Sequence, residues 1–306
     1  MTEAYRVKTN YVLSKWNARL IDQNHKEWNG LGNDNKDRYV DSLKIFYLNP
    51  ERLWERRKEI KEQFILSGIP ENQIERVEPT KYPCVADYTL KNNIISWDHI
   101  NMWQKAFDQN CDGALFFEDD VYFLKNWKQI LQDMFDNIGR DKTHIIRFDS
   151  APLISVEDIP DDKVAVFHPQ AFACVGGYYM SRDAITTALN IVKTRHWTWI
   201  TIETLMGDIM KDYFKSMSYE TSPRICVQNW FLGDGSALQK DEHMKRLKDV
   251  MCNGYLQRYH KRYMFNKDVK DKLEEIFKEY EVYNYEERTL DKNNNKFYYY
   301  SKNFVI

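Results

Sequence analysis

The stretch GALFFEDDVYFL, Gly113 to Leu124, places three adjacent carboxylates inside an apolar run. Ala114–Phe117 has the length and composition of a buried strand. Like charges side by side at its end are costly, so Glu118, Asp119 and Asp120 need a compensating partner. On an extended chain alternate side chains share a face, which predicts Glu118 and Asp120 on one side and Asp119 on the other. A hard divalent cation, Mg2+ or Mn2+, would relieve that repulsion. Such ions take oxygen ligands, commonly one or two protein carboxylates with phosphate oxygens completing the shell. A nucleotide diphosphate would suit as co-ligand, and the ion would neutralise charge developing on a diphosphate leaving group. The plainer alternative is a loop start or a helix cap. Bulky apolar residues on both sides of the triplet (Phe116, Phe117; Tyr122, Phe123) weigh against a simple turn.

Outward from this run, helical and strand-like patterns alternate. LKIFYL (Leu43–Leu48) suits a buried strand, and PERLWERRKEIKEQFILSG a helix, with Pro50 near its first turn and Gly68 closing it. QIERVE is a short strand, and NNIISWDHINMWQKAFDQN a helix with an Ile95, Ile100, Trp103, Phe107 stripe. WKQILQDMFDNI is helical, HIIRF and AFACVGGYYMS are strands, and RDAITTALNIVK and TIETLMGDIMKDYF are helices. Residues 1–42 read as a polar extension, a short amphipathic helix followed by a loop. Residues 241–306 read as a C-terminal extension, with a charged helix near Lys267–Tyr280 and a hairpin beyond it. Between them, residues 43–240 predict one α/β domain with a mostly parallel sheet and helices on both faces. Ligands of such sheets sit at the carboxyl ends of strands. The acidic triplet occupies such an end.

Composition narrows the function classes. The 306 residues carry a formal net charge of −2, which gives no electrostatic case for sequence-independent nucleic-acid binding. The five cysteines are odd in number and contain no C-x-x-C pair, so they read as small core residues rather than a zinc or disulfide framework. The N-terminus lacks an apolar signal core and no window approaches a transmembrane span, so a reducing cytoplasm is expected.

Several stretches, taken in order, resemble glycosyltransferase family 25, the lipooligosaccharide and procollagen galactosyltransferase type. WDHINMWQKAFDQNCDGALFFEDDVYF is similar to the family core, with His99, Trp103 and Glu118-Asp119-Asp120 in the matching places. YLNPERLWERR resembles the family's opening turn at Asn49, Arg52 and Arg56. GGYYMSRDAI and SPRICVQNWFLGDGSAL resemble its later segments, and together the matches span about residues 43 to 238. Pro50, Asp98 and the absence of an Ala-x-Asp-Gly counterpart in RVEPTKYPC depart from the family pattern.

The resemblance implies a GT-A fold and a nucleotide-sugar donor, usually a UDP-hexose. It also implies a divalent metal and a hydroxyl acceptor on a glycan or a hydroxylated protein. Donor contacts are expected from Asn49, Arg52, Arg56, His99, Glu118, Asp119, Gly176 and Gly177. Metal contacts are expected from Asp120 and Glu118, with His243 or Asp234 as a further ligand. Arg52 and Arg56, four apart, would share a helix face and grip phosphates at its N-terminus. They equally suit a solvated salt-bridge face among Glu51, Glu55 and Glu59. His99 reads as a donor contact, a support for the acidic loop, or a satisfied buried group. Gly176-Gly177 suits close backbone approach or a bulge, and Ser181 suits an N-cap. An inverting transfer needs a general base, for which Glu203 is preferred and Asp208 competes. The aromatic segments NWFLG and HWTW would serve as sugar platforms or as core. Two rival readings are a two-metal phosphoesterase and a carbohydrate-binding module without turnover. The seven histidines show no H-x-H or H-x-x-x-H pattern, which argues against the first.

Overall fold

The computed structural model describes residues 19–22, 38–80, 88–123, 127–148, 163–168, 175–194, 201–222 and 225–228. Its centre is an eight-stranded sheet built from β1 (Arg19–Asp22), β2 (Lys44–Leu48), β3 (Ile74–Val77), β4 (Gly113–Glu118), β6 (Ile145–Arg147), β7 (Lys163–Phe167), β8 (Gly177–Ser181) and β9 (Ser218–Ser222). The spatial order is β1-β7-β9-β6-β8-β4-β2-β3. A separate two-stranded ribbon pairs β5 (Val121–Phe123) with β10 (Cys226–Gln228). Five helices follow in chain order: α1 (Trp54–Leu66), α2 (Tyr88–Asp108), α3 (Trp127–Ile138), α4 (Arg182–Thr194) and α5 (Ile202–Asp212).

Period-two alternation divides the core into two halves. Ile45, Tyr47, Leu115 and Phe117 face one side, where Ile60 and Phe64 of α1 and Trp127 and Leu131 of α3 cover them. Phe46, Phe116, Tyr178 and Met180 face the other, beneath Trp103 of α2, Ile185 of α4 and Leu205 of α5. Phe116 and Phe117 are both 0% exposed; burying each stabilises the fold by about 1.5–3 kcal/mol. Gly68 ends α1 with φ +69°, a left-handed cap conformation that glycine adopts without a Cβ clash.

The sheet is mixed rather than mostly parallel. β2 runs parallel to β3 and β4, and β6 to β9, but β8 lies antiparallel between β4 and β6. β7 is antiparallel to both β1 and β9. A strand covered on both faces reads as a continuous apolar run whichever way it points, so composition left strand direction open. Arg19–Asp22, expected in a helix-and-loop extension, is an edge strand paired with β7. The expected helix near Lys267–Tyr280 and the hairpin beyond it lie outside the described residues. No described helix is long and apolar enough to cross a membrane.

The chain order fixes where a ligand fits. β2 is followed through α1 by β3 on one flank, and through α2 by β4 on the other. The crevice beyond the carboxyl ends of β2 and β4 is therefore a topological switch point, where open α/β sheets take their ligands. Asn49 leaves β2 there and Glu118 closes β4 there.

Candidate active site

Four backbone features shape the crevice. Glu118 N–H donates to the Gly176 carbonyl (2.8 Å), and Phe148 N–H to the Gly177 carbonyl (2.9 Å), joining the ends of β4, β8 and β6. A Cβ on Gly177 would stand 2.7 Å from Cys226 Sγ and 2.9 Å from Phe117 Cδ1, so this position requires glycine for close approach. Leu53 N–H donates to the Pro50 carbonyl (2.9 Å), a turn that delays α1 until Trp54. The β5–β10 pairing sets Gln228 opposite Val121, beside the acidic triplet.

The three carboxylates are dispersed by this frame. Alternation along the strand stops at Glu118, because Asp119 and Asp120 form a turn. The expectation that Glu118 and Asp120 share a side is thereby corrected. Asp119 and Asp120 both meet the Arg56 guanidinium, at 3.6 and 3.9 Å. Asp119 Oδ2 also accepts a hydrogen bond from Asn49 Nδ2 (2.7 Å), whose other bond goes to the Leu53 carbonyl (2.9 Å). Within the described chain, then, the cation balancing this pair is an arginine. Burial raises the Asp119 carboxyl, while Asn49 and Arg56 pull it back.

Glu118 turns to the opposite face of the sheet. Gln228 Nε2 donates to its Oε2 (2.6 Å), and His99 Nε2 lies 3.4 Å from its Oε1. Its carboxyl is pushed up to about 7, first by burial, then by the charges of Glu203 and Asp119. The Gln228 bond and the Arg56 charge act against this rise. Glu203 thus stands close enough to Glu118 for its charge to matter. It lies in the first turn of α5, whose N-cap Thr201 accepts from the Thr204 N–H (3.3 Å), where the helix dipole favours a carboxylate. Asp208 is five residues further along the same helix. That spacing rotates it by about 140° away from Glu203.

Other expected residues fall as follows. Arg52 is exposed in the turn before α1, so it shares no helix face with Arg56. The phosphate-gripping pair inferred from their spacing is therefore not formed, because the helix begins two residues after Arg52. His99 is 0% exposed in the interior of α2, which matches a buried group supporting the acidic loop. Asp98, a departure from the family pattern, accepts from Thr80 N–H and Oγ1 (both 2.8 Å) and so ties the chain after β3 to α2. Ser181 Oγ accepts from the Ala184 N–H (3.2 Å), capping α4. His243, Asp234 and the segments NWFLG and HWTW lie outside the described residues.

Sequence reasoning missed four side chains that the fold brings here. Gln228 is described above. Tyr178 contacts His99, at 2.8 Å from Oη to Nδ1. Arg76 of β3 secures the turn after β2 by donating to the Asn49 carbonyl (3.0 Å) and to Glu51 (2.8 Å). Arg147 of β6 forms a buried ion pair with Glu220 of β9 (3.3 Å), on the sheet face that Glu118 occupies. Gln228 had a signal, since it lies in SPRICVQNWFLGDGSAL. The others are single polar residues within apolar or alternating runs and carry no spacing to read.

This corner joins a switch-point crevice to clustered carboxylates, an arginine and a partly buried acid pair, an arrangement suited to binding a charged leaving group and moving a proton. Comparison with known proteins finds the following similarities. Glycosyltransferase family 25 (LPS biosynthesis protein) matches residues 96–206, which include His99, Glu118 to Asp120 and Glu203. A Haemophilus influenzae protein described as "Putative glycosyltransferase" is 22% identical over 206 residues, covering 58% of this chain and 67% of the relative. The crystal structure of a glycosyltransferase involved in the glycosylation of the major capsid of PBCV-1 is similar at 15% identity and a TM-score of 0.39, over 67% of this chain and 98% of that one. Over residues 96–206 the chain is thus similar to glycosyltransferase family 25.

Proposed function

We propose that the chain transfers a hexose from a nucleotide-sugar, a UDP-sugar, to a hydroxyl of a glycan or a hydroxylated protein, with inversion, on a GT-A-type sheet. The observation that carries this reading is that Glu118, which closes β4, and Glu203, both inside the family 25 match, lie near enough for the charge of Glu203 to act on Glu118. The donor diphosphate would lie over the Asn49–Asp119–Arg56 corner, with Gly176 and Gly177 permitting close backbone approach beside the sugar. Glu203 would take the proton of the attacking hydroxyl.

The donor atoms at this corner are hard oxygens, which suit Mg2+ or Mn2+. Among the described residues no three His, Cys, Asp or Glu side chains converge to hold an ion. The protein's share would therefore be a single carboxylate, Asp120 beside Arg56 or Glu118 on the other face, with the remaining ligands from phosphate oxygens, as such ions ordinarily bind. When bound, the ion supplies charge neutralisation at the leaving diphosphate. Arg56, already placed against Asp119 and Asp120, supplies a second positive charge to the same group. A two-metal phosphoesterase would need a richer ligand cluster than the described residues provide.

A thermal-shift panel of UDP-, GDP- and CMP-sugars with manganese tests the reading. One nucleotide class should stabilise the protein, by about 2.7 kcal/mol at a hundredfold excess over Kd. The effect should be largely lost with EDTA and in Asp120→Ala. A flat response to every nucleotide would count against the transferase site.

A further inference from the structure

On the far side of His99 from Glu118, a short chain of hydrogen bonds runs into the core. Trp103 Nε1 donates to Tyr178 Oη (2.8 Å), and Tyr178 Oη lies 2.8 Å from His99 Nδ1. All three side chains are 0% exposed. They are held in place by stacking: Tyr178 lies 5.2 Å from Phe116 and 5.7 Å from His99, centroid to centroid.

The polarity of this chain is fixed by chemistry. An indole N–H only donates, so the Tyr178 oxygen is the acceptor for Trp103. The phenol then has one proton to give, and burial keeps that proton in place. Among the described residues, its other hydrogen-bond partner is His99 Nδ1. Nδ1 therefore accepts, and in a neutral imidazole the proton must sit on Nε2. Nε2 faces Glu118 Oε1, so the ring donates to the carboxylate, while Gln228 donates to the other oxygen.

We propose that Trp103 and Tyr178 are positioning residues of the active site: they set His99 in its Nε2–H tautomer, and His99 with Gln228 then clamps the Glu118 carboxylate from both oxygens. The relay rests on the transferase reading only for what Glu118 serves, because the tautomer exists whether or not the protein turns anything over. A clamped Glu118 holds one orientation toward Glu203 and the donor. An imidazole free to carry its proton on Nδ1 would instead present a lone pair to Glu118 and repel it. His99 then acts through Glu118 and need not touch substrate.

Nitrogen-15 correlation spectra of the histidine rings in the full chain, with His99→Gln used for assignment, read the tautomer directly. The wild type should show His99 with Nδ1 unprotonated and Nε2 protonated. In Tyr178→Phe, which keeps the ring and its packing, an Nδ1-protonated population should appear. A wild-type His99 carrying its proton on Nδ1, or spectra unchanged by Tyr178→Phe, would overturn the proposal. In a transfer assay, Tyr178→Phe should lower kcat by roughly ten- to a hundredfold, the usual effect of removing an outer hydrogen-bond partner, with donor KM little changed. His99→Gln, whose amide N–H can replace Nε2–H, should recover more of that rate than His99→Ala. Wild-type turnover in Tyr178→Phe would also overturn the positioning role, whereas a wild-type protein inactive on every nucleotide-sugar would sink the transferase reading and leave the tautomer to the spectra.

Discussion

Glu203→Gln is expected to lower turnover by roughly 10²–10⁴-fold, the range general-base catalysis supplies, while donor affinity stays near the wild-type value. The reason lies in what the substitution removes. Glutamine keeps the size and hydrogen-bonding reach of the side chain but cannot accept a proton from the acceptor hydroxyl. Glu203 stands in the first turn of α5, across from the Glu118 carboxyl on which its charge acts. It is not among the residues that meet Arg56, Asn49 or the Asp119–Asp120 turn, where the diphosphate would bind. The loss should therefore fall on kcat and spare donor KM. Asp208→Asn serves as the comparison, because Asp208 is turned away around the same helix. If Asp208→Asn were the crippled variant and Glu203→Gln transferred sugar at the wild-type rate, the assignment of the base would be reversed.

A second large effect concerns stability against pH in protein freed of metal with EDTA. The Glu118 carboxyl titrates at about 7 in the fold, against an ordinary value of 4.5, so over that window the folded chain holds a proton that the unfolded chain has released. Stability then falls as pH rises from about 4.5 to about 7 and stays lowered above it. A shift of that size corresponds to a few kcal/mol, on the order of 3. Glu118→Gln stays neutral throughout, so it should match the wild type at low pH and exceed it above neutrality. Urea denaturation of both proteins across the window measures the difference. Parallel stability curves would show that Glu118 is not buried beside like charge. The same strain suits a binding site, where a carboxylate held at a cost is relieved by an incoming cation.

Long periodic segments were the legible part of this fold. The helices from Trp127, Arg182 and Ile202 announce themselves by apolar stripes, that from Trp54 by Pro50 before it and Gly68 after it, and LKIFYL and ALFF by unbroken apolar runs. The strand SYETS (Ser218–Ser222) was not legible, since serine, glutamate and threonine look exposed. It is buried only because β6 and β7 flank it and Arg147 neutralises Glu220. Strand direction was hidden for the same reason, and β8 entered the sheet antiparallel between β4 and β6. At the site, the acidic triplet pointed to the right crevice, but its balance of charge did not show in the sequence. Regular alternation would separate Asp119 from Asp120, whereas the turn brings both to Arg56. The relay from Trp103 to Glu118 joins residues 75 or more positions apart in part of its length, and no local spacing encodes such a contact.

The measurement that bears most directly on the donor site is anomalous diffraction from crystals soaked with manganese and UDP. A manganese peak is expected within coordination distance of an Asp120 or a Glu118 oxygen, with a diphosphate between it and Arg56 and the Arg56 contacts to Asp119 and Asp120 loosened. Crystals in which that corner holds neither ion nor nucleotide, with Arg56 still against both aspartates, would contradict it.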